Sequence, residues 1–201
     1  VAPTQAVLDE VERSFRAVPN ALVQNPDGQD GITLHADLDE TGLAPQPFVL
    51  ISNNSWPEYD LIKSLHFGTP DERDADPANW NLAGRSAKEL VYRYVLFADV
   101  LGVQTTHTSS SGFSENYITA DGLGLGGNDS IITLGSWKRS NGPDQTAGGG
   151  DDVYGGTDDQ QAGTFMHEMG HTLGLFHGGD QIAPGPDGVY GTNDDLFFND
   201  K

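Results

Sequence analysis

The stretch Thr164-Phe-Met-His-Glu-Met-Gly-His-Thr-Leu-Gly-Leu-Phe-His-Gly-Gly179 decides how this chain reads. Within it, His167-Glu168-x-x-His171-x-x-Gly174-x-x-His177 has metal-ligand spacing. On an α-helix, His167 and His171 stand four residues apart, so their imidazoles leave one face at a separation that a single metal ion can bridge. Glu168 lies beside them, placed to serve water at the metal rather than the metal itself. Gly174 can take a positive φ and end the helix, which lets the chain swing His177 back as a third ligand. Three neutral nitrogens leave a fourth position open, and that marks a catalytic rather than a structural zinc site. Phe165, Met169 and Leu173 recur every four residues and predict the buried stripe of the same helix.

A bare His-Glu-x-x-His recurs in unrelated helices whose histidines are merely solvated or hydrogen-bonded. Gly174 and His177 at fixed offsets set this one apart. The extended motif resembles the metzincin clan of zinc endopeptidases, closely over residues 164–179 and more loosely over 86–163. The resemblance implies zinc on His167, His171 and His177, Glu168 as general base and Gly174 as the helix-ending turn. It also implies an α+β fold, a metzincin-like upper subdomain in which a twisted mixed sheet carries a backing helix and the zinc-binding active-site helix. Two other zinc-peptidase patterns fit less well. One takes a downstream Glu as third ligand, and no Glu follows Glu168. Another takes Asp in Gly-Thr-x-Asp; Gly191-Thr-Asn-Asp194 matches those letters, but Gly174 and His177 already complete a site.

The chain departs from the clan at one point. Metzincins place a Met in a tight turn beneath the metal, downstream of the third His, whereas the methionines here are Met166 and Met169. The expectation is a single metalloprotease catalytic domain over residues 1–201 with the C-terminal lower subdomain largely absent. A truncated or self-cleaved precursor, with a C-terminal fragment as partner, would account for that. The expected activity is secreted, zinc-dependent hydrolysis of peptide bonds in a polypeptide substrate. The alternative is a non-catalytic metal-binding fragment or pseudoprotease of the same fold.

Composition narrows the setting. A chain of 201 residues fits one domain with a real core. Thirty acidic against ten basic residues give a formal charge of −20, which would repel the phosphates of a nucleic acid. No apolar run is long enough to span a bilayer. Val1-Ala-Pro-Thr4 reads as a mature or trimmed start, with no basic segment leading into an apolar one. Cysteine is absent, so neither disulfide nor thiolate is available. An extracellular, salt- or calcium-containing medium would screen the acidic excess.

Along the chain, Ala6, Val7, Val11 and Phe15 predict an amphipathic helix over Thr4–Ala17 with Thr4 as N-cap. Ile32–Asp37, Phe48–Ser52, Gly112–Thr119 and Ser130–Leu134 read as strands, and residues 68–85 as a long loop. Leu90–Ala98 fits helix or strand; its β-branched and aromatic composition, together with the element order that the resemblance implies, favours strand. The resemblance makes Gly112–Thr119 the candidate edge strand along which an extended substrate would lie. His35, His66 and His107 are isolated, and Trp56, Trp80 and Trp137 read as packing residues.

One internal repeat stands out. Gly150-Asp-Asp-Val-Tyr-Gly-Gly-Thr-Asp-Asp159 aligns without gaps on Pro186-Asp-Gly-Val-Tyr-Gly-Thr-Asn-Asp-Asp195. Asp151, Asp152, Asp158 and Asp159 in the first copy, with Asp187, Asn193, Asp194 and Asp195 in the second, place carboxylates at both ends of glycine-rich turns. Such an oxygen-rich set suits calcium, although the spacing is not that of an EF-hand. Asn25, Asp27 and Asp30 form a third oxygen cluster. The bland account of all three is solvated acidic loops.

Overall fold

The computed structural model describes residues 2–43, 49–51, 56–75, 92–103, 106–108, 110–118, 124–173, 175, 180–183 and 196–199. The first element is helix α1 (Gln5–Arg16), which buries Val7, Leu8 and Val11. The amphipathic reading of this segment holds, with one change: Leu8 rather than Ala6 joins the buried face. Thr4 is the N-cap by backbone conformation, but its side chain makes no capping bond. A short α2 (Asn20–Val23) follows. Residues 32–37, expected as a strand, are irregular. Leu34 and Ala36 still pack inward, and the amide of Ala36 donates to Glu12 Oε1 at 2.8 Å. A side-chain acceptor takes the place of a ladder partner.

Strand β1 (Val49–Ile51) precedes α3 (Pro57–His66), with proline in its first turn, and α4 (Pro70–Ala75), which replaces part of the loop expected over 68–85. Residues 76–85 lie outside the described residues. Next come β2 (Tyr94–Phe97), β3 (Leu101–Val103), β4 (Thr106–Thr108), β5 (Gly112–Ile118) and β6 (Gly124–Ile132). β7 (Lys138–Ser140) and β8 (Val153–Tyr154) form a ribbon that leads into α5 (Asp158–Thr172). β9 (Asp180–Ala183) and β10 (Leu196–Asn199) pair antiparallel.

The central sheet has the order β2-β6-β5, with β2 parallel and β5 antiparallel to β6. A second small sheet, β1-β3-β4, joins a parallel and an antiparallel pair. The molecule is therefore a mixed α+β fold, and its helices cover both faces of the central sheet. Side-chain alternation assigns those faces. Leu96 and Ile131, paired across β2 and β6, join Trp56, Tyr59 and Leu101 in a core under α3. The neighbouring pair, Phe97 and Ile132, turns the other way. It packs with Val7, Leu8 and Val11 of α1 and Ala162, Phe165 and Met169 of α5. Phe97 and Phe165 meet edge to face at 6.0 Å between centroids.

Two polar features lie within the α3 layer. Lys63 Nζ reaches both carboxylate oxygens of Asp129 on β6, at 2.7 and 3.0 Å, and both residues are buried. The Tyr59 hydroxyl donates to the carbonyls of Tyr94 at 2.7 Å and Ser130 at 3.1 Å. Burial, and then the nearby Asp129 charge, push the Tyr59 phenol well above its usual range, so it stays a donor. Among the described residues no helix is long and apolar enough to cross a membrane.

Candidate metal and catalytic site

Helix α5 is fixed at its start before it carries any chemistry. Thr157 and Gln160 form a reciprocal capping box: the Gln160 amide donates to Thr157 Oγ1 at 3.2 Å, and the Thr157 amide to Gln160 Oε1 at 2.9 Å. Asp158 and Asp159 occupy the first turn, where the helix dipole favours negative charge. Gln161, fully buried, donates to the carbonyl of Gly155 at 2.8 Å and ties the helix to the residue that follows β8. Phe165 and Met169 anchor one face in the core, as their spacing predicts. Leu173 does not: it is 51% exposed, because the helix stops at Thr172 and the chain turns back. The amide of Leu175 bonds the carbonyl of Gly170 at 2.9 Å in that turn.

This anchoring presents His167 and His171 together. Their Nε2 atoms stand 3.2 Å apart and their rings meet nearly at right angles, with centroids 4.7 Å apart. His171 is buried, and its Nδ1 lies 2.6 Å from the carbonyl oxygen of Leu175. A carbonyl only accepts, so Nδ1 carries the hydrogen and donates, and in the neutral ring Nε2 keeps its lone pair. A backbone acceptor on the far nitrogen is the usual support for a metal-binding imidazole. Zinc–nitrogen bonds of 2.0–2.1 Å at a tetrahedral angle put two ligand nitrogens about 3.3 Å apart. The separation of this pair fits that edge, and it also fits a direct N–H···N bond if His167 donates.

Glu168, the residue after His167, turns toward the β5 side of the helix and is only 4% exposed. Ser114 Oγ lies 2.8 Å from Glu168 Oε2 and 2.8 Å from the Glu168 carbonyl. Gly112, two residues earlier and on the same face of β5, lies so close that a Cβ there would sit 2.7 Å from Glu168 Oε1. Among the described residues β5 is an edge of the central sheet, so the strand expected over 112–119, described here as Gly112–Ile118, stands beside the motif helix. The supports from Ser114 and Leu175 were not singled out in the sequence. Alternation along β5 would have put Gly112 and Ser114 on one face, but nothing local says which helix that face meets.

Gly174 and His177 lie outside the described residues, as do Asp187, Asn193, Asp194 and Asp195. Among the described residues no three His, Cys, Asp or Glu side chains form a group that could hold a metal ion. His167 and His171 are therefore the two described members of the expected ligand set.

The first acidic repeat does not gather its carboxylates. Asp152 pairs with Lys138 at 2.9 Å and accepts the Gly148 amide at 2.9 Å. The Lys138 ammonium, with help from that amide, holds the Asp152 carboxyl below its ordinary pKa. Asp158 pairs with Arg139 at 2.5 Å, while Asp151 Oδ2 accepts the amide of Asp144 at 3.1 Å. Asp159 is exposed on the first turn of α5. The polar side chains of the 25–30 loop likewise bond to nearby backbone. Asn25 Nδ2 donates to the carbonyls of Gln29 and Gly31, Asp27 accepts the Gln29 amide, and Asp30 accepts the amide of Asn20. Of the isolated histidines, His66 Nδ1 lies 2.6 Å from Glu40 Oε2, and His35 is exposed.

No family model, curated protein or solved structure matches this chain.

Proposed function

We propose that this chain is a zinc-dependent endopeptidase of the metzincin type. The observation that carries the reading is the imidazole pair. Two Nε2 atoms lie at the spacing of a zinc ligand edge, one ring is held by a backbone carbonyl on its far nitrogen, and a buried carboxylate follows the first histidine directly. His167, His171 and His177 would hold the ion. When bound, zinc supplies a Lewis acid that acidifies water and polarises a carbonyl. Glu168 accepts a proton from the attacking water and returns it to the departing amine. The outer edge of β5 offers main-chain groups to an extended peptide, and pockets beside it would select side chains. A secreted setting belongs to the same proposal and rests on composition: an acidic excess and no cysteine.

The second reading is that the histidines bind metal, or simply each other, without turnover. The 3.2 Å contact favours it equally, because a histidine–histidine hydrogen bond has the same length. One experiment separates these. Zinc is measured after dialysis, and casein hydrolysis is followed with and without a chelator. The endopeptidase reading expects one zinc per chain and hydrolysis that the chelator abolishes. Zinc without hydrolysis establishes the non-catalytic reading, and absence of zinc leaves a hydrogen-bonded pair.

A further inference from the structure

We infer that β5 positions the Glu168 carboxylate, with Ser114 as the hydroxyl that holds it and Gly112 as the gap that admits it. This inference rests on the endopeptidase reading and names residues that the motif does not contain. A glutamate on a helix has three side-chain torsions, and a proton carrier is effective only when its oxygen is held in one place. Here the main-chain carbonyl of Glu168 and its Oε2 both lie 2.8 Å from one hydroxyl, that of Ser114. The serine is 5% exposed, so water does not compete for that bond. The hydroxyl has one proton to share between these two acceptors, and its position against both limits the torsions open to the carboxylate. The other oxygen, Oε1, is set against Gly112, and any side chain at 112 would collide with it. A Cβ there would lie 2.7 Å from Oε1, 2.8 Å from Cγ and 2.8 Å from the carbonyl oxygen of Ile131. The carbonyl belongs to the paired strand β6, so the methyl cannot escape by moving the glutamate alone.

The arrangement also ties the proton carrier to the strand proposed to bind substrate. Gly112 and Ser114 face the helix layer, and Phe113 between them faces the α3 layer, 5.5 Å from Trp56 between ring centroids. A peptide added to the outer edge of β5 would thus be placed by the same strand that places Glu168. Ser114 and Gly112 are positioning residues: they act through Glu168 and touch no substrate.

The test uses the zinc-loaded full chain and Ser114→Ala, Ser114→Thr and Gly112→Ala variants. A hydrogen bond to a charged group predicts that Ser114→Ala lowers kcat by about 10- to 100-fold, with KM and zinc stoichiometry unchanged. Ser114→Thr, which keeps the hydroxyl, should restore most of the loss. Gly112→Ala should lower kcat at least as far. Melting temperatures of Ser114→Ala, Glu168→Ala and the double variant give an activity-independent readout, expected to be non-additive by about 3–12 °C. Additive melting shifts, or an active parent whose kcat is unmoved by Ser114→Ala, overturn the inference. Loss of zinc together with activity in Ser114→Ala also overturns it, by making the role merely structural. A zinc-loaded parent that cleaves nothing overturns the endopeptidase reading instead, and the melting cycle still decides whether Ser114 holds the carboxylate.

Discussion

Replacing Lys63 by Met should be among the most damaging single changes outside the motif. The Lys63 and Asp129 side chains are 9% and 8% exposed, and the ammonium meets both carboxylate oxygens. Asp129 is on β6, the middle strand of the central sheet, so no small backbone movement brings it to water. Methionine fills the space of the lysine stem beside Phe67 but takes the Lys63 ammonium away from the buried aspartate charge. Breaking a buried pair from one side costs about 3–5 kcal/mol, and in a domain of this size that lowers Tm by roughly 6–20 °C. Replacing both partners by apolar residues, as in Lys63→Met with Asp129→Leu, removes the stranded charge. That double variant should regain most of the loss, because the desolvation cost of both ions disappears as well. Thermal melts of the parent, the two single variants and the double variant form the assay. A Lys63→Met chain that melts within about 2 °C of the parent would refute the argument, since it would mean that Asp129 is solvated in the folded state.

Removing zinc should destabilise the chain: at a hundredfold excess over Kd the ion contributes about 2.7 kcal/mol, so chelation should lower Tm while His171→Ala with His177→Ala shows no response to the metal. Glu168→Gln should retain zinc and lose roughly 10²- to 10⁴-fold in hydrolysis, and activity within tenfold of the parent would point to another base. Asp152 has a depressed carboxyl pKa, so its contribution to stability is present above the unfolded-state value and is lost as the pH falls through the folded one. The Tm difference between the parent and Lys138→Met should therefore be open at neutral pH and close in acid, below the ordinary aspartate range; a gap independent of pH would mean that packing, not charge, is responsible.

What the sequence made legible follows from which signals were local. The motif helix, α1 and the strands β2, β5 and β6 could be read because their periodicity agrees with the face each element buries. Helix α3 was hidden, since its buried positions include Tyr59 and Lys63 and a buried lysine breaks the apolar stripe. Its pairing with Asp129 is a contact between distant parts of the chain that no window shows. In 32–37 Leu34 and Ala36 do turn inward while Ile32 is exposed, and the amide of Ala36 leans on the Glu12 side chain of α1 rather than on a strand. β6 begins at Gly124, before the expected Ser130, and its first part carried no strand signal because Gly124, Gly126 and Gly127 have low strand propensity. At Gly127 the missing Cβ is used: one placed there would lie 2.4 Å from Glu115 Cβ on β5. The candidate site divides in the same way. Ligand spacing was legible in one turn of sequence, whereas the supports from Ser114 and Leu175 depend on how strand and turn meet that helix.

The packing of α1 on α5 has a consequence for how the site opens. Val7, Leu8 and Val11 share one apolar cluster with Phe165 and Met169, on the helix that bears both histidines and Glu168. Helix α1 cannot lift away without exposing that cluster, so α1 and α5 should behave as one foldon, their amide protons exchanging with solvent in a common opening event. The lifetime of the paired imidazoles would then be set by a segment some 150 residues upstream in the chain, through the free energy of a shared unfolding step.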